Sequence, residues 1–169
     1  KLKIGRKGTS MYQIKVFGRA AHAGLEPEKG LNATVEISQI VTTLIGLENK
    51  ELRTSVVPTV MNSGTTTNTV PALASLDVDS RSFTLAEMKR VEVAIRNLKP
   101  SHPEARIEVT GGINRPPLEI AATKELYEKC EAVAVKLGIA PLGSASVGGA
   151  SDGNFAAIHT KVLDGLGAL

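Results

Sequence analysis

The 169-residue chain is 42% hydrophobic and 22% charged, with one cysteine and no tryptophan, enough for one good core or for one domain plus part of another. Its net charge of +3 is local: Lys1, Lys3, Arg6 and Lys7 precede the first acid, and the remainder is close to neutral. A short cationic lead of this kind reads as a solvated linker, and an aromatic content of 3% argues against a base-stacking surface, so nucleic acid is excluded as a partner.

No apolar run reaches the length of a membrane span, and the first residues do not resemble a signal peptide. A start at Lys1 is what an excised or processed piece would show. The lone Cys130 rules out an internal disulfide and is compatible with a reducing, cytoplasmic setting.

Taken in order, residues 1–9 read as a basic linker that ends a strand at Leu2 to Ile4. Residues 10–19 alternate as a strand, with Tyr12, Ile14 and Val16 against Gln13, Lys15 and Phe17. From Asn32 the apolar residues Ile37, Ile40, Val41, Leu44 and Ile45 recur at helical spacing, predicting a helix to about Leu47. Thr54 to Met61, rich in Val and Thr, is a second strand, and Asn62 to Pro71 is turn chemistry. A third strand over Ala72 to Ser82 places Ala74, Leu76, Val78 and Ser80 on one face and Leu73, Ser75, Asp77 and Asp79 on the other.

Thr84 and Glu87 form a capping box, with Phe83 and Met88 placed as its hydrophobic staple. The helix they open buries Met88, Val91, Ile95 and Leu98 and ends before Pro100. Ala105 to Thr110 is a fourth strand. The order β-α-β-β-α-β is the split pattern of a ferredoxin-like α+β domain, spanning residues 10–114.

Arg115-Pro116-Pro117 breaks the chain. A third helix follows from about Thr123 to Leu137, with Leu126, Cys130, Val133 and Leu137 inward and Gly138 as its stop. Gly143 to Gly149 is a loop, Ser151 to Ile158 a short helix, and Lys161 to Leu163 a strand. Residues 115–169 lack partner strands for a core of their own and read as an incomplete slice of a larger α/β domain.

Three features carry chemistry. His22 sits among Ala20, Ala21, Ala23 and Gly24, where small neighbours leave the imidazole reachable and Gly24 lets the chain turn; its bland alternative is a histidine satisfied by a backbone carbonyl. Arg81, in Asp77-Val78-Asp79-Ser80-Arg81, either forks a carboxylate ligand or pairs with Asp79 or Asp77 along its strand. Gly148-Gly149-Ala150-Ser151-Asp152-Gly153-Asn154 leads into a helix start, whose backbone N–H groups favour an anion. His22, His102 and His159 are far apart, and no metal-ligand spacing occurs, so no metal is expected on this chain.

Gly18 to Ala33 resembles, nearly position for position, the G-x-x-x-H-A-G and P-E-x-G-x-N-A run of the small domain in a zinc-dependent family. That family includes bacterial glutamate carboxypeptidase, acetylornithine deacetylase, succinyl-diaminopimelate desuccinylase and the N-acyl-amino-acid hydrolases. The resemblance implies a lid (dimerisation) domain followed by a fragment of an α/β zinc-hydrolase catalytic domain, and it implies a homodimer through the lid.

His22 then matches the histidine that donates to the scissile carbonyl in the partner's site. Asn68 matches the N-x-V-P asparagine, and Arg81 the D-x-R arginine, both contacting substrate carboxylate. Arg115 matches the R-P-x element at the return to the catalytic domain, and Gly148, Gly149 and Ser151 the G-G-G-[ST]-D-A loop, with Ala150 in place of the third glycine. The implied parent holds two zinc ions on residues outside this chain, the last ligand following a loop that begins at Asp164 to Leu169, and cleaves a peptide or N-acyl amino acid beside a free carboxylate. A non-catalytic dimerisation or scaffold module is the alternative.

Overall fold

The structure, a computed structural model, describes residues 1–167. After a first strand, β1 (Leu2–Arg6), four strands build an antiparallel sheet: β2 (Gly8–Phe17), β3 (Ser55–Ser63), β4 (Leu73–Ser82) and β5 (Arg106–Arg115). Their order is β3-β4-β2-β5, as the ferredoxin-like pattern requires. Two helices, α1 (Ala33–Ile45) and α2 (Leu85–Arg96), occupy the connections β2–β3 and β4–β5.

The period-2 pattern decides which face the helices cover. Tyr12, Ile14 and Val16 of β2 and Ala74, Leu76 and Val78 of β4 are buried, and they pack with Ile37, Ile40 and Leu44 of α1 and Val91 and Ile95 of α2. Full burial of the Val, Leu and Ile side chains among them stabilises the fold by about 1.5–3 kcal/mol each.

Local signals act largely as read. Asn32 caps α1, its Oδ1 accepting from the amides of Thr34 (2.9 Å) and Val35 (3.3 Å). Thr84 caps α2 by accepting from Glu87 N at 3.3 Å. The reciprocal half of the capping box does not form, because the Glu87 carboxylate is taken by Thr54 Oγ1 (2.8 Å) and Arg90. Pro58 lies in the edge strand β3, where a missing N–H is tolerated, and the β3–β4 register slips beside it, between Pro58 and Val60. β5 runs past Thr110, the expected end of the fourth strand, and continues through Gly111 and Gly112 to Arg115.

The flanking residues depart further from expectation. Residues 1–9 are not a linker: the strand expected at Leu2 to Ile4 runs on to Arg6, Leu2 is buried, and β2 already starts at Gly8. How far a basic strand extends depends on its partner. That partner is β6 (Ser144–Val147), parallel to β1, inside the stretch read as a loop. Lys161 to Leu163 form no strand; a single bridge joins Lys3 to Asp164 instead. The short helix α4 contracts to Gly153–Ala156.

The third helix, α3 (Ile120–Lys136), buries Thr123 and Ala134, and Thr123 Oγ1 donates to Ile4 O at 2.8 Å. The stripe expected to point inward does share one face, but Leu126, Cys130, Val133 and Leu137 line an open apolar groove of about 370 Å³. Cys130 is therefore half-buried rather than core. Two parallel strands are too few to cover such a face. No helix among the described residues is long and apolar enough to cross a membrane.

Candidate functional site

Strand register sorts the candidate residues into two groups. Thr9 of β2 pairs with Arg81 of β4 on one side and with Arg115 of β5 on the other, so the two arginines flank one position, about 10 Å apart across two strand spacings. Eight residues further along, Phe17 pairs with Leu73. At that end the His22 loop and the Asn68 loop are bonded together: Ala23 N donates to Asn68 O (2.9 Å), Val70 N to Ala21 O (2.9 Å), and His22 bridges Thr69. Thr9 and Phe17 are separated by roughly 27 Å of strand.

At the first end, Arg81 grips Asp79 bidentately, with Nε 2.8 Å from Oδ1 and Nη2 2.9 Å from Oδ2. The strand ion pair is thus the one that forms, and Asp79 holds the guanidinium above its ordinary range. Lys7, beside Ser55 Oγ (3.5 Å), has its pKa lowered by burial and then by the charges of Arg53 and Arg81. Arg115 lies over the Phe155 ring, 4.6 Å from its centroid, with Nη1 4.0 Å from Asp152 Oδ1.

The glycine loop meets this same end. Arg6 donates through Nη1 to Gly149 O (2.9 Å) and through Nε to Asp164 Oδ2 (2.5 Å). Ser151 Oγ donates to the same Asp164 oxygen at 2.6 Å. Burial alone would push Asp164 up, but Arg6 and Ser151 hold it below the usual carboxylate range. The loop's amides are less free than a helix start suggests. Ser151 N is bonded to Asn154 Oδ1, Gly153 N to Ser151 Oγ, and Asn154 N and Phe155 N to loop carbonyls. Gly148 and Gly149 have open space where a Cβ would stand.

At the other end His22 and Asn68 are exposed. Gly24 N donates to His22 Nδ1 at 3.1 Å, which assigns the neutral ring's proton to Nε2, turned away from that bond. Nε2–H is then a donor available to a ligand. Gly24 does not serve the turn through its missing side chain, because a Cβ there would meet only the His22 ring at ordinary contact distance, 3.7 Å. Gly18 is the glycine with no room: a Cβ would lie 2.1 Å from Leu31 O, so the backbone ladder that orients the His22 loop (Arg19 N to Leu31 O, 3.0 Å) needs glycine here.

Among the described residues no three His, Cys, Asp or Glu side chains converge as a metal site needs. These residues do not fit a zinc ion.

Residues 4–105 match the M20 peptidase dimerisation domain, well over half of the chain. The chain belongs to this family. Beyond the M20 domain itself, nearly the whole chain (99%) is 31% identical over 174 residues to carboxypeptidase G2 of Pseudomonas sp. (strain RS-16), covering 41% of that protein. It is 28% identical over 151 residues, 85% of the chain, to the uncharacterized protein YqjE of Bacillus subtilis (strain 168), covering 39% of it. The M20 chain thus spans about two fifths of the length of these curated relatives.

Its fold is shared with the aminopeptidase PepT of Bacillus cereus ATCC 10987, at a TM-score of 0.71 and 24% identity over 95% of this chain and 43% of that one. The Asn154 side chain, which bonds both Lys7 and Pro116, and the Arg6–Asp164 pair were not singled out from sequence. Nothing in a Gly-rich loop marks which polar side chain turns inward.

Proposed function

We propose that this chain is the lid and part of the catalytic domain of a zinc-dependent M20 amidohydrolase or exopeptidase that acts as a homodimer on an amide bond beside a free carboxylate. The observation that carries the reading is the separation of the two residue groups along β2. A dipeptide or N-acyl amino acid cannot reach from Arg81 and Arg115 to His22 and Asn68 across roughly 27 Å of strand. If all four act on one substrate, His22 and Asn68 come from the partner subunit.

In that arrangement the Arg115 guanidinium and the unshared donors of Arg81 hold the substrate carboxylate. The partner subunit's His22 donates Nε2–H to the carbonyl oxygen as negative charge develops, and the Asn68 amide of the same loop pair orients the substrate. Two zinc ions, supplying the activated water, would be held by residues outside this chain, and the 169-residue chain alone is inactive.

The β3 edge and α1 form the dimer contact: Val57, Val60 and Met61 on β3 and Val35 and Ile45 on α1 are about half exposed, and an uncharged edge invites pairing. The test uses the full-length protein. It should contain stoichiometric zinc, sediment as a dimer and release a C-terminal amino acid or an acyl group, with loss of activity on chelation. A metal-free dimer without hydrolase activity would support the scaffold reading instead.

A further inference from the structure

The described chain passes between its two parts at two places, Lys7 between β1 and β2 and Pro116 after β5. Both crossings are bonded to one side chain. Asn154, with no exposed surface, donates through Nδ2 to Lys7 O (3.1 Å) and to Pro116 O (2.8 Å), and its Oδ1 accepts from Ser151 N at 2.9 Å. Both amide protons and the carbonyl are thereby used.

The crossings also press against each other. A Cβ on Gly8 would stand 2.7 Å from Arg115 O and 2.7 Å from Pro117 N, and Arg6 and Leu118 exchange two backbone bonds of 3.0 Å. The junction is therefore a close-packed pair of strands with one buried amide bridging them.

We propose that Asn154 is a positioning residue: the pin that fixes the lid's angle to the segment carrying the glycine loop. Because its Oδ1 also orders Ser151, the pin makes the loop and the lid angle one mechanical unit. Rotation of the lid moves the Lys7 and Pro116 carbonyls, strains the amide and pulls on the Ser151 turn, while a ligand that reorganises the loop biases the lid in return, as linkage requires. The hydrolase reading above would use this coupling, but the pin itself stands on the hydrogen bonds and can be tested without activity.

The test measures the distance between spin labels in the 169-residue chain. Cysteines replace Val93 on α2 and Val135 on α3, both well exposed, with Cys130→Ala removing the native thiol. The parent should give one narrow distance distribution. N154A should at least double its width while the circular dichroism spectrum is unchanged. N154D supplies the sharper readout. A carboxylate facing two carbonyl oxygens is repelled, whereas the protonated acid regains one donor, so N154D should be narrow at low pH and broad at neutral pH.

Arg6, Lys7, Arg115, Asp152 and Asp164, the charged groups around the junction, are the same in N154A, which controls for their own titration. Widths equal to the parent's in both variants at every pH would overturn the proposal. So would loss of the folded spectrum in N154D on going to neutral pH, because Asn154 would then support folding rather than set an angle.

Discussion

Complementation between two inactive variants tests the division of labour along β2 most directly. His22→Ala removes one donor to a developing oxyanion and should slow turnover by about a hundredfold or more. Arg115→Ala removes a charged partner of the substrate carboxylate, a loss of about 1.5–3 kcal/mol, or roughly ten- to a hundredfold. Each homodimer is then defective at both sites.

In a mixed dimer with His22 acting across the interface, one site has intact Arg115 from its own subunit and intact His22 from its partner, and the other site has neither. One good site in two predicts about half of wild-type turnover for the isolated mixed dimer, and about a quarter for a randomly exchanged mixture. The assay is amide hydrolysis by full-length subunits carrying two different affinity tags, with mixed dimers purified on both. If His22 served its own subunit's site, no intact site would exist in any mixture. Recovery no greater than the mean of the two parents would therefore refute the trans assignment and the reasoning from strand length.

Other outcomes follow from the packing and the charges. Ile37→Ala, at a fully buried position of α1, should destabilise the lid by about 2–5 kcal/mol in denaturant unfolding. Arg90 above all, with help from Thr54, holds Glu87 below the usual carboxylate range against its burial. Its contribution is accordingly present above the unfolded value of about 4.3 and lost as pH falls through the lower folded value. Glu87→Gln should flatten stability against pH in that window, and an unchanged profile would count against the Glu87–Arg90 pair. Gly18→Ala should displace the Leu31 carbonyl and cut activity through the His22 loop while the lid core melts nearly as before. Val57→Lys with Val60→Lys places charge on the β3 edge and should yield monomers in sedimentation at micromolar concentration; a persistent dimer would move the interface elsewhere.

Much of the lid was legible in the chain because its signals are local. Alternation in Tyr12–Val16 and Ala74–Ser80, helical spacing from Ile37 to Leu44, and the caps at Asn32 and Thr84 each depend on residues only a few positions apart. The run from Gly18 to Ala33 carried the family for the same reason.

What only the tertiary structure decided is long-range pairing. Leu2–Arg6 became a full strand because β6, more than 130 residues later, lies beside it. Arg81's choice of Asp79 depended on side-chain geometry that strand spacing leaves open. The apolar face of α3 was visible as a period, but whether that face is covered is a property of neighbours. Asn154 was one polar residue in a loop until folding brought Lys7 and Pro116, distant in sequence, within reach of a single amide. Register along β2, likewise a sum of many pairings, set Arg81 and Arg115 at one end and His22 and Asn68 at the other.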